Sequence, residues 1–127
     1  MTEHPAHRWA RVWERAWRER DADAIEALYA DGCVFRTHPF REAEDPGGYV
    51  RRELPTESDV DVRFGRPVVD GDRAAVEWWA TLVESGNEIT LAGFSWLRFD
   101  EKGLVLEQRD YWSQADGRRP PPEPWGS

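Results

Sequence analysis

Cysteine is almost absent from this chain of 127 residues: Cys33 stands alone, so no internal disulfide can form, and a reducing, cytoplasmic setting is expected. Histidine is scarce as well. There are three copies, and His4 and His7 have no cysteine or carboxylate cluster arranged around them, so no metal site is expected. Positive charge is in deficit, with 17 Lys and Arg against 25 Asp and Glu and a net charge of −8. That balance argues against a nucleic-acid partner, because phosphates call for a basic face. The N-terminal Met1-Thr2-Glu3-His4-Pro5 has no apolar leader, and no apolar run approaches the length that spans a bilayer, so no membrane association is expected. Gly47-Gly48 is too short for a phosphate-cradling loop and lacks its lysine, and no serine nucleophile elbow occurs. No cofactor is expected.

Tryptophan, by contrast, is in excess: eight copies, enough to wall an apolar cavity or cover a subunit contact. A hydrophobic share of 39% beside a charged share of 33% fits a folded globular chain rather than a disordered one, and the length suits one domain. Trp9, Trp13 and Trp17 recur every fourth residue, with Val12 and Ala16 widening the stripe, so a helix is expected over 6–20. A second short helix is expected over 24–30, with Asp23 as its N-cap and Asp31-Gly32 as its stop. Cys33 to Thr37 reads as a strand, and 46–54 as a third helix with Pro46 in its first turn. The hydrophobic period then falls to two. Val60, Val62 and Phe64 alternate with charged residues, and turn signals at Asp70-Gly71, Ser85-Gly86-Asn87 and Asp100–Gly103 separate strands over 67–69, 74–83, 89–99 and 104–112. The fold class is therefore α+β, with N-terminal helices packed on one face of an antiparallel sheet. Residues 1–113 form the domain. The polar, Pro-rich tail over 114–127 is expected to be extended, with Trp125 free to dock.

Alternation also sorts the strand faces. Ala74, Val76, Trp78, Ala80 and Leu82 share a face with no polar member, which points it at the core. In the last strand Leu104, Leu106, Gln108, Asp110 and Trp112 share a face, so one carboxyl group is set among apolar side chains. Such a group is costly unless it is paired, hydrogen-bonded or protonated. Two readings follow. Desolvation raises its pKa and makes it an acid–base catalyst near neutral pH, or Arg36 or backbone donors satisfy it and its role is structural.

The order and spacing of these elements resemble the NTF2-like superfamily and its SnoaL-like members over residues 6–113. The carriers are the tryptophan-bearing first helix, the segment Asp-Ala-Asp-Ala-Ile-Glu-Ala-Leu-Tyr-Ala-Asp-Gly over 21–32, Thr37-His38-Pro39, and Gly-Leu-Val-Leu-Glu-Gln-Arg-Asp-Tyr-Trp over 103–112. The resemblance implies a cone: a strongly curved sheet wrapped around helices, with a pocket at the open end. SnoaL-like polyketide cyclases keep an acid–base aspartate seven residues after the turn glycine of the last strand, and Asp110 stands seven after Gly103. The Arg-x-Asp pair of limonene-epoxide hydrolases falls at Trp78 and Ala80, so that water-activating set is incomplete. The base of ketosteroid isomerases falls at Thr37 or His38, and their oxyanion donors at Trp13 and Ser95.

By this resemblance the pocket is lined by Trp13, Phe35, Thr37, Trp78, Ala80, Ser95, Asp110 and Trp112, with His38 as a second acid/base. The implied function is binding of a small, apolar, oxygenated metabolite. It comes either with cofactor-independent acid–base chemistry at Asp110 (isomerase, cyclase or dehydratase type) or, alternatively, as a non-catalytic binding module for a hydrophobic ligand or peptide. Trp79, Phe94, Trp96 and Tyr111 fall on the opposite sheet face. A homodimer through that face would cover them, as in many relatives; a tail folded back with Trp125 would cover part of them.

Overall fold

In the computed structural model, which describes residues 3–127, helix α1 (Pro5–Glu19) follows an N-cap at His4. The His4 Nδ1 accepts the Ala6 N–H at 3.1 Å, while its Nε2 reaches the Gly71 carbonyl at 2.9 Å. The ring is thus held as one tautomer, donor toward the hairpin and acceptor toward the helix. Trp9, Trp13, Ala16 and Trp17 are buried, as their spacing predicts. Helix α2 (Ala22–Glu26) is shorter than expected, and its cap is Asp21, whose carboxylate accepts from Ala24 N–H at 3.1 Å, not Asp23. Tyr29 opens strand β1 (Tyr29–Arg36) instead of closing the helix. Asp31-Gly32 therefore lies inside a strand irregularity, where Gly32 takes a positive φ. Helix α3 (Pro46–Glu53), capped by Asp45, leads through a short 3₁₀ turn (Leu54–Thr56) into the sheet.

The remaining strands are β2 (Glu57–Phe64), β3 (Val68–Asp70), β4 (Arg73–Glu84), β5 (Asn87–Phe99) and β6 (Val105–Asp116). They form a six-stranded sheet in the order β1-β6-β5-β4-β2, with β3 pairing β4. Every pairing is antiparallel except β1 with β6. The helices lie on one sheet face, which gives the NTF2-like architecture, and the core sits between α1 and that face. β6 continues past Ser113 to Asp116.

Two bulges change which side chains look inward. Between Arg98 and Phe99 the β5–β6 register slips by one residue, so Phe99 pairs with Val105 while Arg98 pairs with Glu107. Val105 is consequently buried and Leu106 only partly so. The expected sharing of one face by Leu104, Leu106 and Asp110 does not hold, because a one-residue slip exchanges the faces of a strand. The second slip lies in β2 between Ser58 and Asp61, at Asp59 with its φ of 50°. Beyond it Val62 pairs with Ala80, and before it Glu57 pairs with Glu84. Ala80 and Glu84 are on the inward-facing set of β4, so the bulge turns Glu57 inward along with Val62.

The tail does not extend into solvent. Arg118 donates to the Thr81 hydroxyl and the Asp59 carbonyl, and the Trp79 indole N–H donates to the Arg119 carbonyl at 2.7 Å. Trp125 packs edge-on against Trp79, with ring centroids 6.1 Å apart.

Candidate functional site

α1, α3 and the inner faces of β1, β2, β4, β5 and β6 line a partly open cavity of about 70 Å³. That holds on the order of five water molecules. Its walls are mainly aromatic. Trp17 meets Trp13 and Trp78 edge to face, at centroid distances of 6.0 and 5.8 Å, so the rings brace one another at steep angles. The lining residues that keep partial exposure include Tyr49, Glu53, Leu91 and Trp112.

Of the residues singled out in the sequence, Trp13, Phe35, Thr37, Trp78, Ser95, Asp110 and Trp112 line this cavity. Ala80 and His38 do not. Ala80 is fully buried and pairs across strands with Val62 and Leu91. His38 packs edge-on against Trp112 at 5.1 Å, and its Nδ1 accepts the Phe40 N–H at 3.3 Å. The Trp112 indole donates to the Thr37 carbonyl at 2.5 Å, with the Arg41 guanidinium 5.2 Å above its ring.

Asp110 is held by two side chains on a single oxygen. Its cross-strand partner Ser95 donates to Oδ1 at 2.6 Å, and the Gln108 amide donates to the same oxygen at 2.9 Å. Arg36 takes no part; it donates to the Arg41 carbonyl. The donors are themselves oriented. An indole N–H can only donate. Trp78 donates to the Ser95 oxygen at 3.1 Å, which turns the serine proton toward Asp110. Trp13 donates to the Tyr29 hydroxyl at 3.1 Å, so the phenol proton goes on to Gln108 Oε1 at 2.5 Å. Trp9 reaches that same oxygen at 3.3 Å. With Oε1 filled by donors, the Gln108 NH₂ must face Asp110. Burial raises the Tyr29 phenol far above its ordinary pKa, so it remains a donor throughout.

Oδ2 of Asp110 accepts no hydrogen bond among the described residues and is not sealed from open space. It is the oxygen left free to exchange a proton with a bound molecule. Burial pushes the Asp110 carboxyl up to about 6, against the opposing pull of the Ser95 and Gln108 hydrogen bonds and the Arg41 charge.

A second carboxyl group lines the cavity, and the sequence reading missed it. Glu57 is 8% exposed, and its Oε1 accepts the Trp17 indole N–H at 2.7 Å. Burial pushes it up to about 7, with Glu84 and Glu53 adding to the rise. The β2 bulge is what hid it: simple alternation from Val62 puts Glu57 on the outer face.

The sequence profile of the SnoaL-like domain matches residues 9–108. No curated protein matches significantly. Solved structures sharing the fold include RV0760c of Mycobacterium tuberculosis, at 18% identity and a TM-score of 0.78, covering 92% of this chain and 99% of that one. The same protein has been solved with estradiol-17β-hemisuccinate. SalBIII, an epoxide hydrolase/cyclase-like enzyme with a role in pyran ring formation in the polyether salinomycin, aligns at 13% identity and a TM-score of 0.74, covering 90% of this chain and 99% of that one. A protein of ketosteroid isomerase-like fold from Catenulispora acidiphila, solved with trimethylamine, aligns at 19% identity and a TM-score of 0.68, covering 83% and 85%. At these identities the structural likeness speaks for the fold. With the profile spanning most of the chain, the protein belongs to the SnoaL-like domain family.

Proposed function

We propose that the cavity binds a small metabolite with an apolar, oxygenated body and that Asp110 moves a proton on it without a cofactor. The observation that carries this reading is the asymmetry of one carboxyl group: Oδ1 holds two oriented hydrogen bonds while Oδ2 is free beside aromatic walls. A carboxylate with a pKa near 6 can both take and return a proton close to neutral pH. Isomerisation, aldol-type cyclisation and dehydration each begin with such a transfer. The differing ligands in the fold neighbours, a steroid ester and trimethylamine, support small-molecule binding by this architecture. His38, which meets Trp112 edge-on, serves in this reading to steady that wall.

The test has two parts. A ¹³C-carboxyl NMR titration should place the Asp110 midpoint near 6; a midpoint in the ordinary carboxylate range removes the poised base. Deuterium incorporation from solvent into small ketones should be accelerated by the protein and lost in Asp110→Asn. Equal exchange by both leaves a binding module only.

We propose further that two copies associate through the outer sheet face, where Phe94 and Tyr111 stack at 5.2 Å, each still 38% exposed. Arg109 lies 3.8 Å over the Trp96 ring, with its Nε 3.5 Å from the Glu107 carboxylate, so both side chains are held flat on that face. The lone Cys33 supports a reducing, cytoplasmic setting for this reading.

A further inference from the structure

Glu57 is not needed to hold or tune Asp110, yet a buried carboxyl group carries a desolvation cost. Among the described residues no Arg, Lys or His side chain lines the cavity, while three acids do: Glu53, Glu57 and Asp110. Among the described residues Glu57 has no ion pair within 4 Å. The only side-chain hydrogen bond it makes is the one from Trp17, which leaves Oε2 without a donor among the described residues. Two of the charges around it share its sign. Glu84 faces it across the strands from β4, and Glu53 approaches from α3, its own charge engaged by Arg52 at 3.2 Å. Arg20, at the end of α1, is the nearby cation, but its guanidinium donates to the Glu57 main-chain carbonyl and not to the carboxyl group. Trp17 presses against Trp78 beside it, and the indole is the aromatic ring that attracts cations best. An anionic ligand seated there would be repelled by Glu57 and Glu53, and a neutral one would leave the charged form of Glu57 uncompensated.

We propose that the ligand of this cavity carries a compact cationic amine, protonated or quaternary, seated against Glu57 beside Trp17 and Trp78. The proposal rests on the reading of the cavity as a small-molecule site and adds the chemical class of its ligand. The ammonium group anchors one end, leaving the remainder to reach Asp110, whose hydrogen bond to Ser95 links it to the same Trp78. A cation at Glu57 favours the carboxylate form, so binding strengthens as pH rises through about 7 and releases a proton.

Choline and its neutral isostere 3,3-dimethylbutan-1-ol form the probe pair, followed by calorimetry and by the Trp17 indole N–H resonance. Choline should bind on the order of tenfold more tightly than the alcohol, as expected for a desolvated cation–π and carboxylate site. Glu57→Gln should cut that difference several-fold, the indoles keeping the remainder, while the alcohol still binds, which shows that the pocket is intact. Equal or tighter binding of the alcohol to the unmodified protein overturns the cationic ligand and leaves the small-molecule reading standing. Binding of neither probe overturns it too, and the small-molecule reading is then judged by the Asp110 experiments alone.

Discussion

Asp110 and Glu57 illustrate how one chemical group acquires two behaviours from its neighbours. Asp110 keeps its carboxylate accessible because Ser95 and Gln108 donate to it; Glu57 has a single indole donor and sits closer to neutrality. Hydrogen bonds to a carboxylate favour its charged form. Ser95→Ala should therefore raise the Asp110 midpoint by roughly one to two units, read by ¹³C NMR, since a bond to a charged group contributes about 1.5–3 kcal/mol in protein settings. A fall in the midpoint would contradict the assigned direction of the serine proton. For Glu57 the consequence is one of stability. Its folded pKa lies above its unfolded value, so the folded state binds more protons and loses stability as pH rises from about 4.5 to about 7. Glu57→Gln keeps the acceptor for Trp17 and removes the charge. It should stabilise the protein at pH 8 by on the order of 1–3 kcal/mol and flatten the pH dependence of unfolding over that window. Chemical denaturation at pH 5 and pH 8 checks both. Asp110 was legible in the sequence because it lies on an unbroken stretch of alternation running through Gln108 and Trp112. Glu57 was not, because its face depends on an inserted residue whose φ is set only when β2 meets β4.

The elements follow local rules closely where periodicity is long. Three tryptophans at fourfold spacing suffice to place α1, and turn residues at positive φ, Gly71, Gly86 and Gly103, mark the meander. Local rules fail at Tyr29 and Ala30, where the expected end of a helix is instead the start of a strand. There Tyr29 is committed instead to the buried network that reaches Gln108, a tertiary interaction that no local pattern encodes. The sheet itself has one position of tight backbone approach. A Cβ on Gly93 would lie 2.0 Å from the Tyr111 carbonyl oxygen and 2.6 Å from the Trp112 Cα. Neither atom can swing away, because both belong to the β6 main chain beside Asp110. Gly93→Ala should thus cost about 2–4 kcal/mol and disturb the Asp110 titration with it, measured by urea unfolding and NMR. Gly86→Asn is the control. Its φ of 81° favours glycine, but no atom lies within 4 Å of a Cβ there, so the loss should stay near 1 kcal/mol.

For the whole molecule, the two sheet faces divide the work: the inner one builds the cavity, and the outer one is only partly covered. The folded-back tail seals Trp79, and it buries Thr90 by a hydrogen bond from that hydroxyl to the Gly117 carbonyl at 2.7 Å. It leaves Phe94, Tyr111 and Val34 exposed, an apolar set that a second copy can cover. Because a two-fold interface sets each patch against itself, a charge placed in it meets its own copy. Phe94→Glu should convert a dimer into a monomer, read by light scattering over a concentration series. Its effect on the Asp110 midpoint should be small, since Phe94 points away from the cavity on a strand whose next residue, Ser95, points in. A monomer in the unmodified protein at every concentration would assign the patch another occupant. A monomeric variant that also loses the raised Asp110 midpoint would show that the second copy shapes the cavity from outside.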